Sequence, residues 1–266
     1  MNKEINLKER TNCPSCHVER LNTNKVLHAK EEWSLIQCEQ CSFVYMPIVP
    51  AYEMMKKEFS WERNFNPSEK LSMLKKNRRF IKALIKRNKL LYLLGKYCLK
   101  GNVLDIGCGS GIKFNDIPER YIPYGIDISE GSAREADISF RKRGGEAICA
   151  PATEVVSKFG NNKFSAAILR SYLEHEHQPF EVLKALKETL VLNGVIIIKV
   201  PNYSSLNRKF RGDNWCGFRY PDHVNQFTPK TLSEMVESTG YQIIKFNFLD
   251  KQPTSDNMWM VAKTNI

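Results

Sequence analysis

The chain has 266 residues, 42% of them hydrophobic, which is enough for one full α/β domain with a small additional unit and a core that needs no disulfides. No uninterrupted apolar run of about eighteen residues occurs, which argues against a membrane-spanning helix. The net charge of +11 is a local feature, because residues 51–100 hold fourteen basic and four acidic side chains whereas residues 1–50 hold six of each.

The beginning of the chain favours a cytoplasmic protein. Its first residues, Met1-Asn2-Lys3-Glu4, lack an apolar signal segment. We therefore expect the eight cysteines to lie in a reducing compartment, where paired cysteines indicate a metal site rather than disulfides.

Two Cys-x-x-Cys pairs lie near the beginning of the chain. Cys13 and Cys16 form the first, and Cys38 and Cys41 follow after a spacer of 21 residues. Four thiolates from two such turns favour a tetrahedral structural Zn²⁺ site with no open position. The sequence predicts a zinc ribbon over residues 1–50, with His17 as an outside candidate ligand and short strands on either side of the second pair.

A basic segment follows, which we expect to be a linker and helix over residues 51–100. Apolar residues recur at helical spacing from Glu69 to about Lys89, and Lys70 to Lys100 contains eleven Lys or Arg and no acid. A solvated helix face explains this basic charge. Binding to an anionic substrate, an anionic membrane surface or nucleic acid explains it equally well. The sequence leaves these alternatives open.

A glycine turn begins the largest part of the chain. The apolar run Val103–Ile106 predicts a buried strand, and Gly107, Gly109 and Gly111 follow it directly. A second buried strand ends at Asp127, about twenty residues later, where a carboxylate can accept hydrogen bonds from ribose hydroxyls. The spacing Gly-x-Gly-x-Gly is neither the dinucleotide fingerprint nor a P-loop.

Strands and helices then alternate, which predicts a parallel sheet with right-handed crossovers. We expect strands near 103–107, 122–127, 146–149, 164–170 and 194–200, and helices near 111–117, 129–143, 152–158, 179–192 and 228–239. Two final apolar runs, Tyr241 to Leu249 and Met258 to Ala262, predict a terminal hairpin.

The segment Asp105-Ile106-Gly107-Cys108-Gly109-Ser110-Gly111, together with Gly125-Ile126-Asp127, resembles the class I S-adenosylmethionine-dependent methyltransferases. The resemblance implies an α/β, Rossmann-like sheet of seven strands with the last antiparallel, occupying residues 101–266. It also implies S-adenosyl-L-methionine as cofactor. The cofactor-binding residues that it implies are Asp105, Gly107, Cys108, Gly109, Gly111, Asp127, Ile128, Ala152 and Ser171.

Leu173-Glu174-His175 resembles the Leu-Glu-His signature of the branch that includes ubiquinone-biosynthesis O-methyltransferases. His175 is a candidate general base, although a structural role in the loop explains it equally well. The run from Glu174 to His177 also resembles a divalent-metal cluster, but a solvated loop is the favoured interpretation. The Asn/Asp-Pro-Pro-aromatic sequence that serves base-nitrogen methylation is absent after this strand.

A long loop from Pro201 to Phe227 is rich in aromatic and basic residues, and loops of this length are usually functional. The stretch Asp222–Thr228 resembles an element that covers the acceptor pocket in this family. His223 is therefore a second catalytic candidate, and Arg211 and Arg219 are candidates for meeting an anionic or hydroxylated acceptor.

Taken together, these patterns favour a cytoplasmic methyltransferase that acts on a small molecule or sugar, which can be nucleotide-linked or part of a cell-envelope glycan. One alternative is an rRNA or tRNA methyltransferase that binds RNA through the ribbon and the basic helix. Another is a non-catalytic protein that uses the same fold for interaction. The basic segment also allows peripheral contact with a membrane.

Overall fold

The computed structural model describes residues 6–21, 24–52, 54, 88–114 and 117–264. Most of the predicted basic helix, residues 69–87, lies outside them. Its last part is described: helix α1, Lys89–Tyr97, buries Leu90, Leu93 and Leu94. In the described part of the chain, no helix combines the length and apolarity needed to cross a membrane.

A seven-stranded sheet forms the centre of the molecule. Its strands are β6 Gly101–Ile106, β7 Tyr121–Asp127, β8 Glu146–Cys149, β9 Phe164–Arg170, β10 Leu190–Pro201, β12 Tyr241–Lys245 and β13 Asn257–Thr264. They lie in the order β12-β13-β10-β9-β6-β7-β8. The five strands from β6 to β10 run parallel, whereas β13 is antiparallel to both of its neighbours. The predicted α/β fold class, with an antiparallel last strand, is confirmed.

Helices cover both faces of the sheet. They are, besides α1, α2 Glu130–Arg141, α3 Val155–Phe159, α4 Pro179–Thr189, α5 Leu206–Arg211 and α6 Pro229–Ser238. Alternate strand residues enter two separate apolar clusters: Leu104 packs in one and Val103 in the other. Burial on both faces explains why the parallel strands are continuous apolar runs in the sequence.

One predicted helix is wrong. Instead of a helix over 111–117, the chain forms a short 3-10 turn, Ile112–Phe114. Ile112 is exposed, whereas Phe114 and Ile117 are buried. Pro118 further disfavours helical backbone at the residue before it.

The N-terminal strands form a second sheet that includes a piece of the distant loop. Its members are β2 Val26–Lys30, β3 Trp33–Gln37, β4 Val44–Tyr45 and β11 Asn225–Gln226, in the order β11-β4-β3-β2. A separate antiparallel pair joins β1 Leu7–Glu9 to β5 Ile48–Pro50. Strand β11 lies inside the loop predicted between residues 201 and 227, and it pairs with β4.

The ribbon and the large sheet also share their core. Cys13, Cys38 and Phe43 belong to the same apolar cluster as the strands of the large sheet, and the Phe43 ring lies 5.1 Å from that of Phe227. Trp33 packs in a further cluster with Trp215 of the long loop. The N-terminal strands therefore pack against the large sheet and against the long loop between residues 201 and 227.

Candidate functional site

The four cysteines of the two pairs converge. The Sγ atoms of Cys13 and Cys41 lie 3.7 Å apart, as do those of Cys16 and Cys38. Tetrahedral coordination at about 2.3 Å from each sulfur places neighbouring sulfurs about 3.8 Å apart. The same separation is too long for a disulfide, and all eight cysteines of the chain are free thiols. This arrangement is compatible with a small zinc ribbon.

The two turns that carry these cysteines have the same backbone geometry. The amide of His17 donates to the carbonyl of Cys13, and that of Ser42 donates to the carbonyl of Cys38, each at 2.9 Å. His17 and Ser42 have φ of 60° and 61°, the left-handed conformation that glycine adopts most easily. The His17 ring contacts Phe180 instead of joining the thiol cluster.

The glycine turn lies at the carboxyl end of β6, where ligands bind in open parallel sheets. Gly107, Gly109 and Gly111 all have positive φ. No atom lies within 4 Å of the position that a Cβ on Gly109 would occupy, so the backbone borders open space at this residue. The turn therefore offers a cradle that fits a ligand in close contact with the main chain.

Asp127 lies beside this turn, at the end of β7. Its Oδ2 accepts a hydrogen bond from the amide of Gly109 at 2.8 Å, and its Oδ1 accepts one from the amide of Ser129 at 2.9 Å. A carboxylate has four lone-pair sites, so these two bonds leave capacity for further donors. The structure thus brings together the glycine and the acid that the sequence places 18 residues apart.

The other predicted cofactor residues lie on several different elements. Asp105 and Cys108 are buried, and burial raises the pKa of the Cys108 thiol. Ile128 follows directly after Asp127, and the buried Ala152 opens a 3-10 turn after β8. Ser171 follows β9 directly, and its Oγ accepts a hydrogen bond from Lys199 at 3.1 Å.

Tyr172 connects the glycine turn to the loop that follows β9, and no sequence motif had indicated it as a site residue. A Cβ on Gly107 would lie 2.7 Å from the ring of Tyr172, so this glycine leaves room for the ring. The Tyr172 hydroxyl donates to Glu176, which also accepts a hydrogen bond from Tyr52 at 2.7 Å. Burial raises the pKa of Tyr172, which keeps this donor protonated.

The favoured interpretation of residues 174–177 as a solvated loop is wrong. Glu174, Glu176 and His177 are 2%, 2% and 5% exposed. The four side chains do not converge as a single metal cluster either, because Glu176 binds the two tyrosines. Among the described residues, neither ring nitrogen of His177 has a hydrogen-bond partner.

A cavity of about 180 Å³ opens at the carboxyl ends of β9 and β10, next to the strand that carries the glycine turn. It combines loop residues that follow β9 with residues of the long loop and of β13. Its lining residues are Ser171, Glu174, His175, Pro201, Cys216, Gly217, Arg219, His223, Asp256 and Asn257. Both predicted catalytic histidines therefore lie in one cavity.

The two histidines have matching hydrogen bonds. His175 Nδ1 donates to the carbonyl of Asp222, and His223 Nδ1 donates to the carbonyl of Gly217, each at 2.9 Å. Burial, helped by the Arg219 guanidinium, lowers the pKa of His175 to about 4. Burial and then the neighbouring His175 lower the pKa of His223 well below its ordinary value. Both rings are neutral at pH 7, and their Nε2 atoms carry lone pairs.

Glu174 lies beside these histidines, and the sequence indicated it only as part of the candidate metal cluster of residues 174–177. Each of the three residues offers one ligand atom, and these atoms all lie within 4.8 Å of one another. Burial raises the pKa of Glu174 to about 7, and its Oε2 has no hydrogen-bond partner among the described residues. The sequence signal for this residue was its position directly before His175 in the loop that follows β9.

Arg10 connects the N-terminal segment to the loop that follows β9, and no local sequence pattern marks it. It is buried, and its guanidinium donates to the side chain of Asn225 at 3.0 Å and to the carbonyl of His177 at 3.0 Å, with longer bonds to the carbonyls of Glu176 and Val224. Asn225 in turn donates to the carbonyl of Leu173 at 2.8 Å. These bonds fix the loop that carries Glu174 and His175.

Comparison with known proteins places the fold and the family. A family model described as a methyltransferase domain matches residues 73–245. Among solved structures, a Burkholderia thailandensis 1,6-didemethyltoxoflavin-N1-methyltransferase with bound S-adenosylhomocysteine has a TM-score of 0.57 and 13% identity, over 91% of this chain and 100% of that one. A S-adenosylmethionine-dependent methyltransferase from Methanosarcina mazei has a TM-score of 0.50 and 18% identity, over 65% and 97%.

The same fold also includes the [4+2]-cyclase SpnF, with a TM-score of 0.51 and 16% identity over 67% of this chain and 81% of that one. A search of curated proteins by sequence found no significant match. The family model covers more than half of the chain, and it matches the segment that carries the glycine turn and Asp127. This chain belongs to the methyltransferase-domain family and is an S-adenosylmethionine-dependent methyltransferase.

Proposed function

We propose that the protein methylates a small hydroxylated or anionic acceptor, such as a sugar, in the cavity beside the glycine turn. The observation that carries this proposal is the cavity itself, with its volume of about 180 Å³ and its lining of ionisable side chains. Pockets that enclose drug-sized ligands measure roughly 300–1,000 Å³. The smaller volume suits a small molecule, or the reacting end of a nucleotide-linked sugar or cell-envelope glycan.

The cofactor side of the site is assigned to the residues around the glycine turn. Bound S-adenosylmethionine supplies a methyl group that is already activated by its sulfonium, so the protein contributes mainly alignment. Gly107 and Gly109 give main-chain access, Asp127 accepts from the ribose hydroxyls, and Asp105 meets the ammonium group. Ile128 and Ala152 lie toward the adenine in this assignment. The open space beside Gly109 supports it.

The acceptor side is assigned to His175, Arg219 and His223. The Nε2 lone pairs of the two histidines can accept the proton of an acceptor hydroxyl or amine. Arg219 is ion-paired with Asp222 at 2.8 Å and supplies donors for an anionic group on the acceptor. Assignment of the chain to the Leu-Glu-His branch, through Leu173, Glu174 and His175, belongs to the same proposal.

The four cysteines Cys13, Cys16, Cys38 and Cys41 are proposed to hold a structural Zn²⁺. The sulfur separations of 3.7 Å support this, because they match those of a tetrahedral thiolate site. With four protein ligands the ion has no open position and takes no part in the reaction. The eight free thiols support a reducing, cytoplasmic location.

The acceptor class is tested by incubating the full chain with labelled S-adenosylmethionine and separate pools of small hydroxylated metabolites, nucleotide sugars, membrane glycans and RNA. We expect label in one of the first three pools and a loss of at least tenfold in the His223→Asn variant. Label only in RNA would establish the alternative RNA methyltransferase. Cofactor binding without label in any pool, at cellular acceptor concentrations, would favour the non-catalytic interpretation.

A further inference from the structure

Three side chains of the acceptor cavity bring metal-ligating atoms within 4.8 Å of one another. We propose that Glu174, His175 and His223 bind a divalent transition-metal ion that contacts the methyl acceptor. This inference rests on the proposed acceptor cavity and is distinct from the four-cysteine site near the N-terminus. It deepens the proposed function by naming the group that activates the acceptor.

The donor set is one that divalent transition metals prefer. Two imidazole nitrogens and one carboxylate oxygen bind Zn²⁺, Fe²⁺ and similar ions, and three protein ligands leave open positions for a substrate. The ligand atoms of Glu174, His175 and His223 all lie within 4.8 Å of one another. Coordination at about 2.1 Å requires separations of about 3.0–3.4 Å, so small side-chain rotations bring the atoms into range.

The hydrogen bonds around the histidines fix the orientation that ligation requires. Metal-bound histidines almost always donate the other ring nitrogen to a carbonyl or carboxylate. His175 and His223 both do this through Nδ1, to the carbonyls of Asp222 and Gly217 at 2.9 Å. A carbonyl can only accept, so each Nε2 is left with its lone pair. The two rings are 4.7 Å apart and nearly perpendicular, at 80°.

Glu174 supplies the independent observation that points to a ligand. Its side chain is 2% exposed, and its Oε2 has no hydrogen-bond partner within the described ranges of the chain. A buried polar atom without a partner destabilises the folded chain, so such an atom indicates a partner that completes it. Arg219 is nearby but is already paired with Asp222. A cation between Glu174 and the histidines would satisfy the free oxygen.

The chemical consequence concerns the acceptor oxygen. A hydroxyl bound to the open position of the ion is a stronger acid, as metal-bound water is. It loses its proton to solvent, and its oxygen then forms the bond to the methyl group while the sulfur–methyl bond breaks. Under this arrangement the ion takes up the Nε2 lone pairs, so metal binding, and not direct proton acceptance by the histidines, activates the hydroxyl.

The test measures the metal content of the full chain without cofactor or acceptor, so its result does not depend on the proposed function. We expect two equivalents of Zn²⁺ per chain by elemental analysis after dialysis. Glu174→Gln and His175→Asn should each bind one equivalent, with affinity at the second site lower by at least tenfold. The matched control His177→Asn, which changes a buried histidine two residues away, should keep two equivalents.

Substitution with Co²⁺ separates the two sites without relying on folding of any cysteine variant. Cobalt in the four-cysteine site should give thiolate charge-transfer absorption, and cobalt in the cavity should add visible bands that disappear in Glu174→Gln. One equivalent in the wild-type chain, unchanged in Glu174→Gln, would overturn the inference. Such a result would leave the cofactor and acceptor assignments standing, and these are tested by the labelling experiment.

Discussion

The two halves of the active site are built in different ways. The cofactor half comes from one contiguous strand–turn–strand unit, in which Gly109 and Asp127 are linked by a hydrogen bond across 18 residues. The acceptor half is assembled from separate segments, and Arg10 reaches across more than 160 residues to the loop that carries Glu174 and His175. Damage to the N-terminal ribbon should therefore affect the acceptor half far more than the cofactor half.

The largest expected effect comes from Cys38→Ser, which removes one of the four thiols of the ribbon. We expect loss of bound Zn²⁺ and a fall of at least about 3 kcal/mol in the free energy of unfolding, because the ion supplies much of the stability of so small a unit. Hydrogen exchange should accelerate in β11, which pairs with β4 of the ribbon. Cys149→Ser, at an exposed thiol, is the matched control.

The contrast between the two halves predicts a second result for Cys38→Ser, which concerns cofactor binding. The affinity for S-adenosylmethionine should change by less than about threefold, because the bond between Gly109 and Asp127 lies within one strand–turn–strand unit. An equal loss of exchange protection around Gly109 and around Asn225 would contradict the proposed independence of the two halves.

Asp127→Ala tests the cofactor half in isolation. The variant loses the carboxylate proposed to bind the ribose and the hydrogen bond that it accepts from Gly109. We expect the dissociation constant for S-adenosylmethionine to rise by at least about 100-fold, or about 2.7 kcal/mol, measured by calorimetry. Glu154→Ala, which removes an exposed acid near the same edge of the sheet, should bind normally. Unchanged affinity in Asp127→Ala would refute the ribose assignment.

Arg10→Met tests the long-range connection of the acceptor half. The substitution leaves the carbonyls of Glu176 and His177 and the side chain of Asn225 without their charged donor. We expect a loss of about 2–3 kcal/mol in the free energy of unfolding, measured with denaturant. The KM for the acceptor should rise while cofactor affinity stays the same. Arg141→Met, at an exposed position on α2, should change neither quantity appreciably.

The smallest expected effect lies outside both halves, at Asp250. Burial alone would raise the pKa of this carboxyl, but hydrogen bonds from Lys245 and Lys89 outweigh it and lower the pKa below its ordinary value. A lowered folded-state pKa contributes stability that is present above about pH 4, the unfolded pKa, and is lost as the pH falls through the folded pKa.

We therefore expect the free energy of unfolding of the wild type to exceed that of Asp250→Asn by about 1 kcal/mol at pH 7. This difference should shrink below about pH 4. Denaturant unfolding at a series of pH values measures this difference, and acid release of metal affects both proteins alike. Cofactor and acceptor binding should be equal in the two. A difference that grows toward low pH would show that the sign is wrong.

The contrast between the halves also explains what the sequence could predict. Strands β6 and β7 and the glycine turn were predicted because burial on two faces and a run of glycines are local signals. The helix predicted near 111–117 was wrong because the chain forms only the short 3-10 turn Ile112–Phe114, and Pro118 disfavours helical backbone before it. The two cysteine turns were predicted although His17 and Ser42 occupy positions of positive φ.

The acceptor half was predicted only in outline. His175 and His223 came from resemblance to short motifs, but their closeness to each other and to Glu174 depends on chain crossings that no local pattern encodes. Arg10 could not be predicted, because its partners lie 166 to 215 residues away. The two residues of β11 form a strand only because β4 is there to pair with them.

The pairing of β11 with β4 limits which segments can be exchanged between this protein and a relative. A ribbon transplanted from a relative would meet a loop shaped for a different partner, and its outer strand would lack its edge neighbour. Viable recombinants should therefore inherit the first fifty residues and the stretch around 220–228 from the same parent. The two segments form one heritable unit, although most of the gene separates them.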